Sequence, residues 1–233
     1  MTNSEHRHII MIVDRSGSMQ SCRAATEQGV NEVFAGQSEG DGWATASLYQ
    51  FDTEHDVVFA HVPLDQVPPY RLVPRGGTAL LDAVGFAFAQ EGEWLASLAE
   101  DQRPGTVIAV IATDGMENSS REYQRPQIQQ IIKQQQDVYS WQILFIGANM
   151  NAVQVASSYG IPAPHAMTFR SSPAGAAKSF SSVRKAMSRG RRGEGYGFTA
   201  EERVAALDDG DVIDVVDVVE VIEVGESGGS GQS

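Results

Sequence analysis

Two apolar runs, each ending abruptly in a carboxylate, constrain this chain more than anything else in it. HIIMIV over residues 8–13 is rich in β-branched side chains and stops at Asp14, which is followed by Arg, Ser, Gly and Ser. VIAVIAT over 107–113 stops the same way, at Asp114 and Gly115. A short apolar run without alternation is the pattern of a strand buried on both faces, and such strands belong to parallel sheets covered by helices. In open sheets of that kind, ligand sites lie just beyond the carboxyl ends of the strands. Asp14 and Asp114 are therefore predicted at one edge of one sheet.

The rest of the pattern fits that sheet. The stretches 43–51 and 56–62 read as strands separated only by Asp-Thr-Glu-His, a turn short enough to make a hairpin and hence one antiparallel pair. Further strands are predicted over 141–146 and 166–169, and helices over 20–34, 80–98, 126–136, 152–159 and 173–188. Strands alternating with helices give an α/β fold: a three-layer, doubly wound, Rossmann-like and mostly parallel sheet with one antiparallel edge strand. At 233 residues the chain has room for one such domain and an extension.

Around the two aspartates stand residues with oxygen-bearing side chains. Asp14, Ser16 and Ser18 follow one another at spacing two, so in an extended loop they can face the same way, with Gly17 letting the turn close. Thr78 ends a glycine-bearing loop, Arg75-Gly76-Gly77-Thr78, that leads into the helix predicted over 80–98. Singly, these residues have ordinary readings: Asp and Ser are turn formers, and Ser18 and Thr78 could each cap a helix. Together with Asp114 they form a set of oxygen ligands suited to a hard divalent cation, with Mg2+ the natural occupant and Mn2+ or Ca2+ the alternatives. Two neutral hydroxyls and few carboxylates would leave such an ion seeking an anionic oxygen from outside.

Neighbouring residues carry two readings each. Asp82, one helical turn past Thr78, could accept a hydrogen bond or orient a metal-bound water, or be a solvated helix position. Glu117 and Asn118 could form a rim to the site or be plain turn residues, and Arg15 and Arg75 could attract an anionic partner or be exposed loop charges. His6, His8, His55, His61 and His165 show no metal-ligand spacing and are expected to be structural or exposed. Cys22 is read as a small packing residue; a single thiol cannot form an intrachain disulfide and fits a reducing compartment.

These segments, in this order and at these spacings, resemble the von Willebrand factor type A domain of the intracellular bacterial or phage type. The resemblance spans roughly residues 6–170, and the family's metal-ion-dependent adhesion site motif is matched at every position. It implies that Asp14, Ser16 and Ser18 form the first metal loop, Thr78 the second and Asp114 the third. The hydroxyls would touch the ion directly, and the aspartates directly or through water. It further implies a protein-protein interaction module whose ion is completed by a partner's Asp or Glu, and it permits a ring ATPase or another copy of the chain as that partner.

Enzymatic readings fare less well. A phosphotransferase of the haloacid dehalogenase type would want a second Asp at position 16, which is Ser16. Phosphate-gripping and dinucleotide-binding glycine motifs are missing, and no nucleophilic triad stands out. The alternatives kept in view are a Mg2+-dependent phosphatase and a phosphate or nucleic-acid binder using the basic segment 178–192.

Charge divides the chain near Gly193. Residues 170–192 hold seven basic side chains and are read as a basic terminal helix closing a domain over 1–192. Residues 201–233 carry a net −9 of the overall −13, so 193–233 is read as an acidic, flexible tail. Within it Asp211, Asp214, Asp217, Glu220 and Glu223 recur every third residue and are candidate ligands for the metal site, in cis or from another copy. The amino terminus lacks the long apolar run of a secretory signal, and no run reaches the roughly 20 apolar residues that span a bilayer. A cytoplasmic protein without membrane contact is expected.

Overall fold

The computed structural model describes residues 2–37 and 42–207. Its elements are β1 (Asn3–Asp14), α1 (Arg23–Gln37), β2 (Trp43–Phe51), β3 (His55–Pro63), α2 (Leu80–Ser97), β4 (Pro104–Thr113), α3 (Arg125–Tyr139), β5 (Gln142–Ala148), α4 (Ala152–Ser158), β6 (Ala166–Phe169), α5 (Pro173–Arg191) and α6 (Ala200–Leu207). The strands form one sheet in the order β3-β2-β1-β4-β5-β6. All neighbours are parallel except β2 and β3, which pair antiparallel at one edge. This is the doubly wound α/β architecture expected from the two apolar runs.

Burial explains why β1 and β4 read as unbroken apolar runs. Ile9, Met11 and Val13 of β1 join one core with α1, α5 and α6, whereas Ile10 and Ile12 join a second core with α2, α3 and α4. β4 divides likewise, with Ile108, Val110 and Ala112 on the first side and Val107, Ala109 and Ile111 on the second. A central strand with a helical layer on each face has no solvent side on which to place polar residues. On the first face α1 and α5 approach so closely that a Cβ on Gly29 would lie 2.5 Å from Cγ of Phe180. Pro126 sits in the first turn of α3, as its fixed φ suggested.

Beyond shifts of a few residues at other ends, three departures from the sequence reading matter. β1 starts at Asn3, five residues before the apolar run, and within that extension His6 and Arg7 are buried by partners from elsewhere: the His6 ring stacks on Trp43 at 3.7 Å. The helix predicted from residue 20 starts at Arg23, preceded by a 3-10 turn over Gly17–Ser21. Within the stretch read as tail, residues 200–207 form α6, packed on α5 and β6. A reciprocal cap starts it: the Glu202 amide donates to Thr199 Oγ1 at 3.2 Å, and the Thr199 amide donates to Glu202 Oε2 at 2.9 Å. Glu202 also receives two hydrogen bonds of 2.8 Å from the Arg189 guanidinium, which ties α6 to α5.

That pairing, with Arg192 on Glu194 and Arg184 3.6 Å from Glu32, engages part of the basic segment within the fold. Asp211, Asp214, Asp217, Glu220 and Glu223 lie outside the described residues. Among the described residues no helix is long and apolar enough to cross a membrane.

Candidate metal centre

The carboxyl ends of β1 and β4 lie side by side, with Val13 opposite Ala112, so Asp14 and Asp114 emerge at the same edge of the sheet. Backbone hydrogen bonds stitch three loops together there. Gly17 donates to the carbonyl of Gly76 at 3.2 Å and Arg75 to that of Arg15 at 2.7 Å, which joins the first loop to the second. Asn118 and Ser119 donate to the carbonyl of Thr78 at 3.0 and 3.2 Å, which joins the second to the third. Bonds of this kind fix the loops without using the side chains that a ligand would need.

The predicted residues converge. Ser18 Oγ donates to Asp114 Oδ1 at 2.6 Å and lies 3.0 Å from Ser16 Oγ. Asp14 Oδ1 accepts from the Ser16 amide and Oδ2 from the Thr113 hydroxyl, both at 2.6 Å. Gly115 brings Thr78 into the group: a Cβ there would sit 2.9 Å from Thr78 Oγ1 and 3.7 Å from Ser18 Oγ. Neither hydroxyl caps a helix as the plainer reading held. Ala79 occupies the N-cap of α2 without a side-chain bond, and Ser16 precedes the 3-10 turn.

Asp14, Ser16, Thr78 and Asp114 are buried, and Asp114 Oδ2 has no hydrogen-bond partner among the described residues. Burial pushes the Asp14 carboxyl up to about 6, with the Thr113 and Ser16 hydrogen bonds opposing and nearby Asp114 adding to the rise. Burial raises Asp114 as well, against the Ser18 hydrogen bond. Two buried carboxylates in contact with hydroxyls, one oxygen unpaired, form a donor set that a divalent cation would complete. The residues fit the ion that the motif implies.

The surrounding residues hold the three loops together. Asp82 is buried and accepts hydrogen bonds: Oδ2 from the Arg121 amide at 2.7 Å, and Oδ1 from those of Glu122 and Tyr123 at 2.9 and 2.8 Å. It is not solvated; it anchors the loop after Asp114 to α2. Glu117 accepts from the Leu81 amide at 3.0 Å and from the amides of Ser119 and Ser120, so it caps α2 and folds its own loop. Asn118 Oδ1 accepts from the Thr78 amide at 3.0 Å and thereby positions Thr78.

Arg15 is buried rather than exposed, and both it and Arg75 donate from Nε to Asp52 Oδ2 at 2.7 Å. Arg75 also bonds Glu54 at 2.9 Å. Their charge is spent inside the chain, on a carboxylate that they hold below the usual range against the effect of burial. The sequence reading did not single out Asp52 or Thr113. Both could have been found as the polar residues that end β2 and β4.

No family model matches the sequence, and no curated protein matches it. Among solved structures, a von Willebrand factor type A protein from Catenulispora acidiphila matches with a TM-score of 0.55 at 19% identity, over 78% of this chain and 42% of that one. Proximal thread matrix protein 1 from the mussel byssus, with a zinc-occupied metal-ion-dependent adhesion site, gives 0.56 at 12% identity over 77% of this chain and 47% of its own. A second structure of that mussel protein gives 0.52 at 17% identity, over 78% and 46%. The chain spans less than half the length of these structures. The likeness shows a von Willebrand factor type A fold.

Proposed function

We propose that this chain is a non-enzymatic, metal-dependent protein-binding module. Asp14, Ser16, Ser18, Thr78 and Asp114 would hold a Mg2+ ion whose coordination is completed by an Asp or Glu of a protein partner. One observation carries the reading: a buried, unpaired carboxylate oxygen, Asp114 Oδ2, beside a cluster of hydroxyls at the mouth of three interlocked loops. The ion, when bound, supplies the positive charge that a partner carboxylate meets. The chain's own part is to fix the ligand oxygens and to bury them from competing water.

The zinc-occupied site of the mussel protein supports a divalent ion at this place in the fold without choosing one. An all-oxygen set with few carboxylates favours a small hard cation, hence Mg2+ in a cytoplasmic protein, with Mn2+ or Ca2+ as substitutes. Along the loop that follows Asp114, a cavity of 690 Å³ lined by residues including Thr53, Glu54, His55, Asp82, Asn118 and Ser119 offers space for the partner's flanking residues. Engagement of Arg15 and Arg75 by Asp52 leaves recognition to the ion rather than to a basic rim. A ring ATPase or a second copy of the chain are the partner classes kept from the sequence. The acidic tail bearing Asp211, Asp214, Asp217, Glu220 and Glu223 would supply the carboxylate in the second case.

The test is affinity capture of partners in Mg2+ and in chelator, with Asp14→Ala as control. Partners retained only by the Mg2+-loaded parent chain support the reading, and partners indifferent to both treatments count against it. For the tail, the informative truncation is after Leu207 rather than after Gly193, since the shorter chain would lose α6 and with it part of the core. Unchanged gel-filtration behaviour and partner affinity of that truncation, with Mg2+ and with chelator, would remove the tail from the mechanism.

A further inference from the structure

A second group of potential ligands lies on the α2 face of the sheet, away from the first. His8 of β1, His61 of β3 and Glu91 of α2 each bring one ligand atom to a common point, all within 4.8 Å of one another. Glu91 is fully buried; its Oε2 lies 2.9 Å from His8 Nε2 and 3.2 Å from His61 Nε2, and its Oε1 accepts from the Tyr49 hydroxyl at 2.8 Å. A buried carboxylate needs a cation beside it, and none of these three partners is permanently charged.

Hydrogen-bond direction sharpens the point. The Gln102 carbonyl can only accept, so His6 Nδ1, 3.3 Å away, carries a proton, and neutral His6 then presents a lone pair at Nε2. Thr45 Oγ1, 2.9 Å from that nitrogen, donates to it. Having used its proton, the Thr45 hydroxyl accepts from His8 Nδ1 at 2.8 Å. Neutral His8 in this tautomer turns the lone pair of Nε2 toward Glu91 Oε2. Lone pair facing carboxylate at 2.9 Å is repulsive unless a cation sits between them. A proton on His8 would settle that one contact. The second imidazole, His61, converges on the same carboxylate oxygen and calls for a cation that serves three ligands at once.

We propose that His8, His61 and Glu91 form a Zn2+ site, distinct from the oxygen site at the strand ends. Two imidazole nitrogens and a carboxylate oxygen suit a borderline-soft ion. Ligands about 2.0–2.2 Å from zinc in a tetrahedron stand about 3.3–3.6 Å apart. The observed 3.2 Å lies near that edge, and the 2.9 Å between His8 and Glu91 would open by about half an ångström when the ion enters. Supporting contacts of the kind that orient zinc ligands are in place: Thr45 fixes the His8 tautomer and Tyr49 holds the free oxygen of Glu91. The His61 ring is stacked on Trp94 at 3.9 Å and its side chain is 27% exposed, which gives the ion an entry path and a fourth position open to water. His8 lies six residues before Asp14 on the same strand, ~20 Å at the usual rise, so the two sites share no ligand.

The test uses the tag-free full chain carrying Asp14→Asn, to disable the first site, with excess Mg2+ present. Co2+ is titrated as a visible probe, since a tetrahedral site gives far stronger absorption than an octahedral one. The expected result is one tetrahedral Co2+ per chain, displaced by one equivalent of Zn2+ and not by Mg2+, and lost in H61A and in E91Q. Circular dichroism checks that the variants fold; His61, being partly exposed, can be replaced without opening the core, so H61A decides if E91Q unfolds. Absence of tetrahedral Co2+, or binding indifferent to H61A, overturns the site and leaves a proton as the cation beside Glu91.

Discussion

In the metal-free chain, replacing Asp14 with Asn should stabilise the fold near pH 8 and leave it almost unchanged near pH 4. The Asp14 carboxyl rises from 3.8 to about 6 on folding, mainly through burial. The native state therefore holds this proton more tightly than the unfolded chain. The associated stability is full below about pH 3.8 and is lost as the pH climbs through about 6. Two units at 1.36 kcal/mol each come to about 3 kcal/mol of destabilisation when the group is ionised.

The amide can inherit both hydrogen bonds. Its oxygen would accept from the Ser16 amide, and its nitrogen would donate to Thr113 Oγ1, whose own proton can turn to the Gly115 carbonyl 3.1 Å away. Allowing about 1 kcal/mol for imperfect fit, the expected gain near pH 8 is about 1–3 kcal/mol. Urea unfolding in chelator, for parent and variant at the two pH values, measures it. Adding Mg2+ should then stabilise the parent and not the variant. A variant less stable than the parent near pH 8, or a difference equal at both pH values, would refute the claim that burying this carboxylate is what the metal offsets.

Two further substitutions probe other parts of the argument. Thr78→Val keeps the shape and the backbone bonds to Asn118 but removes the hydroxyl, and should weaken Mg2+ binding at least about ten-fold by calorimetry with no change in fold; unchanged affinity would remove Thr78 from the ligand set. Gly29→Ala gains about 1 kcal/mol of helix propensity yet places a Cβ 2.5 Å from Phe180, so a net loss of about 1–2 kcal/mol is expected in thermal unfolding, and stabilisation would show that α1 and α5 can part.

What could be read from the sequence was whatever depends on local order. Asp14 and Asp114 announced themselves because a buried parallel strand has no alternation, so a carboxylate at its end is conspicuous. The His8, His61 and Glu91 cluster gave no signal, since its members come from three elements and meet only through strand pairing and the packing of α2. The polar start of β1 was missed because Arg7 and His6 look like surface residues until Gln37 and Trp43 are known to cover them. α6 is a different kind of miss: Thr199-Ala-Glu-Glu202 is a legible helix start, obscured by counting the segment as part of an acidic run. Asp82 was correctly placed on the helix, but which way its carboxylate turns depends on loop amides 39 to 41 residues later.

β1 precedes the other described strands and is flanked on both sides. Its register places His8 opposite Val107 of β4, and the layer covering one of its faces is finished only by α5 and α6. During synthesis one edge of this apolar strand can pair with β2, but the other must wait for a partner about a hundred residues downstream, open meanwhile to other nascent chains. All five oxygen ligands emerge before α5 and α6 do. A mature metal centre would thus be a late event in folding, and expression yield should be limited less by the site than by how quickly α5 and α6 close over β1.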